Sequence, residues 1–521
     1  MRLKLSRRLT VPISQLVLVA IIYWPTLQLE FFSDSWVYLW RIQTDIWALL
    51  TKPTGYHYQP AACAWVAMLH GFFGQNPTAF QAVLMAQLAL FSYLTYELGR
   101  RLLSNETAAF LGSLLVISSA AFYETMYWPL AGNMHLMAAQ LYLLALILAV
   151  EIARGRLMRT GPWLLGLTVL TAVFAHPAMI TSVPICALTL FLARSRVVVE
   201  RTSRNGHCRK KALVALAAVM LPFMLSRFAF AATFDYGPKP ALERMNAYAL
   251  VSRGLIAVFS LRGSDDVVHR AMMLGTETPP LTSRFWYFVA GWLAAASVAG
   301  LSALRMRTPG PRLLVVALAL HITVLAIAGG MSSRQSHLPA AFAGLLSAWA
   351  LVAVAQRLKR SVTSTAAAWS CSQLPVVGIM VLVAAANADH RHAAEVHVDA
   401  ATLTRTLVNK ISDVASTNRE VINLTLINMP AYTVGHGFGA ATFANGIGEL
   451  VRLTSQRVAD LRLYQTSLPH APIHFANGST LVAVESLKTE LTEPSRVAIL
   501  FEAPSRLRVV TARDLERLAV Q

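Results

Sequence analysis

Apolar runs of about 20 residues recur along this chain, and that length is what a helix needs to cross the hydrocarbon core of a bilayer. The pattern predicts spans at 10–29, 79–99, 107–123, 131–150, 162–177, 178–194, 211–233, 284–304, 312–330, 337–356 and 366–386. The chain of 521 residues is 55% hydrophobic and only 14% charged, with a mean hydropathy of +0.51. A soluble protein carries roughly a quarter charged residues. The fold class that follows is an α-helical polytopic membrane protein with about 11 transmembrane helices.

Basic residues are concentrated between the runs, in MRLKLSRR, ELGRR, EIARGRLMR, RSRVVVERTSRNGHCRKK, RMRTPGPR and QRLKR. Counted from a cytoplasmic N-terminus, every one of these segments falls on the cytoplasmic side, as the positive-inside rule requires. The net charge of +19 is therefore a topology signal, and nucleic acid is not expected as a partner. The first run lacks a small-x-small cleavage site and leads into further spans, so it reads as a retained helix. The expected location is a bacterial inner membrane.

The outer side then receives loop 30–78, the turn 124–130, the His176–Pro177 turn, loop 234–283, residues 331–336 and everything after about 387. Stretch 247–262 is apolar but interrupted by Arg253, and reads as an interfacial helix. The organisation expected is a transmembrane domain over 1–387 and a small extracytoplasmic α/β domain over 388–521. In the latter, VINLTLI, LVAVE, VAILFEA and LRVVT suggest strands, while ATLTRTLVNKISDVA and RDLERLAV suggest helices.

Chemistry-bearing residues gather on the outer side. In FFSDSWVYLW, residues 31–40, Asp34 sits among aromatics at the mouth of the first span. Carboxylates at membrane depth tend to be functional, although a helix cap at the interface is the plainer alternative. Loop 30–78 continues through Trp40, Asp45 and Trp47 to His57, Tyr58 and Gln59, with Pro60 opening a helix along the surface. The turn FYETMYWPLAGNMH offers Glu124, Trp128, Asn133 and His135, and FAHPAM offers His176. In MSSRQSHLP, Arg334 stands on the outer side, against the usual bias for basic residues. Its rigid fork of donors suits a phosphate.

At these residues the chain resembles the C-type (GT-C) glycosyltransferase superfamily of integral membrane enzymes, including the protein mannosyltransferase and aminoarabinose transferase types. Asp34 follows span one, YHYQP follows it, and FLGSLLVISSAAFYETMYWPLAGNMHLMAAQLYLLAL resembles the family's third and fourth spans. SSRQSHLP is similar to a late Arg-x-x-x-x-Pro element. The resemblance covers about 1–200, and 310–350 more loosely. The chain departs from the family in reading Ser-Asp-Ser where many relatives carry two acidic residues, and Gly-Asn-Met-His where many carry Gly-Arg followed by an acidic residue.

The resemblance implies a transferase that moves a sugar from a polyprenyl-phosphate donor to an envelope acceptor (glycan, lipid or protein) on the outer face. It implies Asp34 as catalytic base or acceptor-orienting carboxylate, Glu124 as a second catalytic-site acid, and Arg334 on the donor phosphate. His57, Tyr58 and Gln59 would line the substrate channel, joined by Trp128, Asn133, His135 and His176. A divalent cofactor stays open, and the residues point to no metal site: NADHRHAAEVHVDA, with His390, His392 and His397, lacks a closed ligand set. GHGFGA, 435–440, lacks both a dinucleotide fingerprint and a P-loop lysine, and reads as a glycine turn. A transporter or flippase for lipid-linked sugars is the alternative function, against which the spans show no inverted repeat. A non-catalytic scaffold is the third.

Overall fold

The computed structural model describes residues 2–53, 58–119, 122–157, 159–192, 202–230, 309–327, 337–417, 422–435, 438–468, 471–472, 475–493, 496–502 and 506–520. The expected span at 284–304, loop 234–283, His57 and Arg334 lie outside these residues.

The helices are α1 Arg2–Tyr23, α2 Asp34–Thr44, α3 Ile46–Thr51, α4 Pro60–Phe73, α5 Pro77–Leu103 and α6 Glu106–Ile117. They continue with α7 Tyr123–Met126, α8 Pro129–Ala153, α9 Gly161–Ala175, α10 Ser182–Leu192, α11 Thr202–Ala229, α12 Pro309–Ile327, α13 His337–Ser361 and α14 Thr365–Thr417. Their starts follow local chemistry. Asn76 Oδ1 accepts from Ala79 N (3.2 Å) ahead of Pro77, and Asn105 Oδ1 accepts from Ala108 N (3.0 Å).

Among the described residues, five helices are long and apolar enough to cross a membrane: Leu9–Gln28, Pro77–Leu103, Pro129–Ala153, Gly206–Ala229 and His337–Ser361. The chain is an integral membrane protein. Other apolar helices are shorter. The run expected to span 107–123 ends as a helix at Ile117, where the Ser118 hydroxyl turns back onto the Leu114 and Leu115 carbonyls. A separate short helix, α7, follows at Tyr123–Met126. The full count of eleven is therefore not reproduced among the described residues.

Opposite ends of the bundle differ in chemistry. Arg101 Nε pairs with Glu151 (2.9 Å), Arg154 donates to the Arg101 carbonyl (2.6 Å), and Arg209 donates to the Ala153 carbonyl (2.6 Å). Three of the basic segments thus meet at one end. The other end carries Trp24–Gln28, α2, α7, the start of α8, His176 and the start of α13, and onto it docks the C-terminal part of the chain.

Helix α14 is 53 residues long, about 80 Å at the α-helical rise. It carries the apolar run 366–386 at its start and continues unbroken past 388 into the C-terminal region. There a five-stranded sheet has the order β5-β4-β1-β6-β7. The strands are β1 Ile422–Ile427, β4 Val458–Gln465, β5 Thr480–Leu481, β6 Arg496–Glu502 and β7 Arg506–Val510. All neighbours pair in parallel except β6 and β7. A separate hairpin pairs β2 Tyr432–Gly435 with β3 Phe438–Ala441, so Gly435 and Phe438–Ala440 of GHGFGA lie in its strands. Helices α15 Ile447–Thr454, α16 Val484–Glu490 and α17 Ala512–Val520 complete the unit. Arg496, its side chain buried, ties the sheet through Asp460 (3.0 Å), Glu490 (3.2 Å) and Glu493 (2.8 Å). Strand β4 was not expected from the sequence, and LVAVE contributes only the end of β5 before α16 begins.

Candidate active site

Asp34 opens α2, half-buried, and its two serine neighbours are buried and held from different parts of the chain. Ser35 Oγ accepts the indole N–H of Trp128 at 2.8 Å. Ser33 Oγ accepts the Asn445 backbone N–H at 3.2 Å, and the Ser33 N–H donates to the Thr442 carbonyl at 3.2 Å. Ser-Asp-Ser is therefore a carboxylate with a tether on each side, one from the second turn and one from the C-terminal domain.

The backbone at Ser33 is strained. Its φ of 43° and ψ of −121° belong to the first central position of a type II′ turn, closed here by Ser35 N to Phe32 O at 2.9 Å. A non-glycine residue there costs on the order of 1–3 kcal/mol and persists only when its surroundings hold it. No side-chain hydrogen bond or ion pair among the described residues engages the Asp34 carboxylate.

The second turn is drawn onto the same end. Gln81 donates to Thr26 Oγ1 and to the Met126 carbonyl, both at 2.6 Å, joining the end of the first span to α7 through α5. Glu124 lies in α7, next to Thr125. Thr125 Oγ1 meets His337 Nε2 at 2.6 Å, which places the start of α13 against the turn. His337 also lies 6.4 Å from His135, and His135 lies 5.1 Å from His176, between ring centroids. Three histidines from α8, the α9 end and α13 thus form one group.

The remaining expected residues fall in two classes. Tyr58 packs on Phe174 (6.1 Å) and Phe230 (4.7 Å), at the ends of α9 and α11. Gln59 is buried at the start of α4. Asn133 is fully buried, and its amide donates to the Phe80 (3.0 Å) and Pro129 (2.6 Å) carbonyls, fastening α8 to α5. The structure brings Trp128, His135, His176 and the α7 backbone to the Asp34 end. Sequence reasoning missed Ser33, Ser35, Thr125 and His337, although Ser-Asp-Ser and SHLP were both in view.

His390 and His397, in α14 beyond the apolar run 366–386, have a structural role. His390 meets the Tyr23 hydroxyl at 3.2 Å, and its carbonyl accepts from the Tyr127 hydroxyl at 2.6 Å. His397 stacks on Tyr127 at 4.8 Å. Burial holds His390 down at about 4, with the Ser118 backbone opposing. Among the described residues, no group of three His, Cys, Asp or Glu side chains gathers to hold a metal ion.

No family model and no curated protein matches the chain. Solved structures do. One is the archaeal oligosaccharyltransferase AglB from Archaeoglobus fulgidus, in complex with an inhibitory peptide and a dolichol-phosphate, at 13% identity and a TM-score of 0.47. The match covers 91% of this chain and 65% of that one, so this chain spans less than two thirds of its length. ArnT from Cupriavidus metallidurans matches in the apo state at 10% identity, over 94% of this chain and 92% of that one, with a TM-score of 0.48. ArnT bound to undecaprenyl phosphate matches at 11% identity, over 95% and 93%, with a TM-score of 0.47.

Proposed function

We propose that this chain is a membrane glycosyltransferase that moves a sugar from a polyprenyl-phosphate donor to an envelope acceptor at the Asp34 end of the bundle. The observation that carries the reading is the Asp34 carboxylate itself: half-buried, unengaged by the described side chains, and flanked by two tethered serines. A carboxylate kept free but aimed can take a proton from an acceptor hydroxyl as the glycosidic bond forms. The sugar–phosphate bond breaks in the same step, and the phosphate departs with its lipid.

Arg334 is assigned to the donor phosphate, whose developing charge a guanidinium stabilises. It stands three residues before His337, at most about 11 Å of extended chain from a residue that touches the second turn. Glu124 is assigned as the second acid, and Tyr58, Gln59, Trp128, His135 and His176 as the surroundings of the substrate path. The proposed orientation puts this end outside the cell and the basic end in the cytoplasm.

The test is sugar transfer by the purified protein in lipid, from radiolabelled polyprenyl-phosphate sugars to cell-envelope acceptors. Asp34→Asn keeps the shape and removes the basicity, and should lower the rate by about 100-fold or more with folding unchanged. Equal transfer by both proteins would remove Asp34 from the mechanism. Absence of transfer by wild type across a broad donor panel would favour the transporter or the scaffold.

A further inference from the structure

We propose that the C-terminal domain completes the site by holding the strained turn that aims Asp34, with Ser33 and Gly446 as positioning residues. The inference rests on the reading of Asp34 as the catalytic carboxylate.

Both polar groups that Ser33 can turn toward a partner outside its own loop go to one segment, between β3 and α15. Its N–H reaches the Thr442 carbonyl, and its hydroxyl receives the Asn445 N–H, each at 3.2 Å. Its carbonyl stays local, accepting Trp36 N at 3.2 Å. The approach is close enough to require glycine at 446. A Cβ there would stand 2.5 Å from the Ser33 carbonyl oxygen and 3.2 Å from Trp36 Cβ, and Gly446 itself has a φ of 75°.

The clamp is anchored within its own domain. Asn477 donates its amide to Asn445 Oδ1 at 2.6 Å and its backbone N–H to the Ala444 carbonyl at 3.1 Å. Thr442 and Thr433 share a hydroxyl hydrogen bond at 2.7 Å. Braces stand on either side of the turn. Arg405 donates to Glu30 (3.0 Å) and to the Gln28 carbonyl (3.1 Å), and the Arg452 guanidinium lies over the Trp40 ring at 5.9 Å.

A serine in a turn position suited to glycine relaxes when its restraints go. Undocking the domain would release residues 31–36 and turn the Asp34 carboxylate away, without removing any atom from the site. The domain therefore acts on the rate of the chemical step and not on donor affinity.

Full-length protein in lipid nanodiscs tests this with Gly446→Ala, Ser33→Gly and the double variant. Hydrogen exchange over residues 31–36 should rise about tenfold in Gly446→Ala, with exchange over 422–427 unchanged as the control for an intact sheet. The kcat for transfer should fall with the donor KM nearly constant. Ser33→Gly relieves the strain without the clamp, so the double variant should recover most of the lost kcat. A general lesion of the C-terminal domain would not be rescued from residue 33. Asn477→Ala, which only loosens Asn445, should give a smaller change of the same kind if Gly446→Ala disturbs the sheet. Unchanged exchange over 31–36 in both clamp variants, or a double variant no better than Gly446→Ala, would overturn the proposal. If wild type transfers no sugar, the glycosyltransferase reading fails, and the exchange data still decide whether the domain holds the turn.

Discussion

At the residue scale, the indole of Trp128 does for Ser35 what the C-terminal domain does for Ser33. Its N–H to Ser35 Oγ at 2.8 Å is one buried hydrogen bond, of about 1 kcal/mol in net value. Trp128→Phe keeps the aromatic surface and removes the donor. We expect kcat to fall about five- to tenfold while the thermal midpoint moves by only about 2 °C. Ser35→Ala should give a similar loss, and the two together little more than either, because both delete one interaction. Additive losses would separate Trp128 from Ser35 and return the tryptophan to the substrate path. The place of Asp34 at the mouth of the first apolar run was legible in the sequence, since it is a local pattern. Its restraints were not. Ser33 and Asn445 lie 412 residues apart, and no periodicity or spacing in one sequence joins them.

At the scale of elements, α6 and α13 cross through two glycines. A Cβ on Gly344 would stand 3.0 Å from the Gly112 carbonyl oxygen, and one on Gly112 would stand 2.9 Å from the Leu345 Cα. Small residues at such a crossing let the backbones approach, which supplies the packing that holds helices together in lipid. Gly344→Leu should force the pair apart and cost about 1–3 kcal/mol by overpacking, read as a lower midpoint in thermal unfolding in detergent. An unchanged midpoint would mean that the crossing is loose. The same element scale shows why the sequence was a partial guide. Long spans such as α5 and α8 follow from apolar length alone. The break after Ile117 comes with the Ser118 hydroxyl competing for carbonyls, a local event inside a run that still counts as apolar. Strand β4, VADLRLYQ, escaped notice because Asp460 and Arg462 interrupt its apolar pattern; both side chains stand in the charged network around Arg496. The histidines at 390 and 397, set aside as metal ligands for want of a closed set, are the packing surface of α14 against Tyr23 and Tyr127.

At the scale of the whole molecule, His390 sits where the first helix, the second turn and α14 converge, and that gives the protein a defined response to acid. Tyr23 donates its hydroxyl proton to the Ile117 carbonyl at 3.0 Å and meets His390 Nε2 at 3.2 Å, while Tyr127 holds the His390 carbonyl. Burial lowers the folded value of this imidazole from 6.5 to about 4. Between those limits the unfolded chain takes up a proton that the folded chain refuses, so stability is full above pH 6.5 and is lost as the pH falls toward 4. The whole window is worth about 3 kcal/mol, at 1.36 kcal/mol per unit. His70 is lowered by burial as well and adds to the same window, while the carboxylates act elsewhere on the scale. Asp460 and Glu493 are held below their usual range by hydrogen bonds from Arg496, so their contribution is present above the usual carboxylate range and disappears only below it. Glu30 is raised by burial against the pull of Arg405, which works in the opposite direction as the pH falls. Thermal unfolding of the full-length protein should therefore show a midpoint that declines steadily from pH 6.5 to about 4.5. His390→Gln should start from a lower midpoint at pH 7.5, having lost the imidazole packing against Tyr23, and should make the decline shallower. If the variant keeps the same slope, the proton is taken up elsewhere and the junction does not set the acid response. A shallower slope would mean that acid loosens the contact joining the first helix and the second turn to α14. Docking of the C-terminal domain over Asp34 would then weaken over the same pH range, because α14 leads directly into that domain.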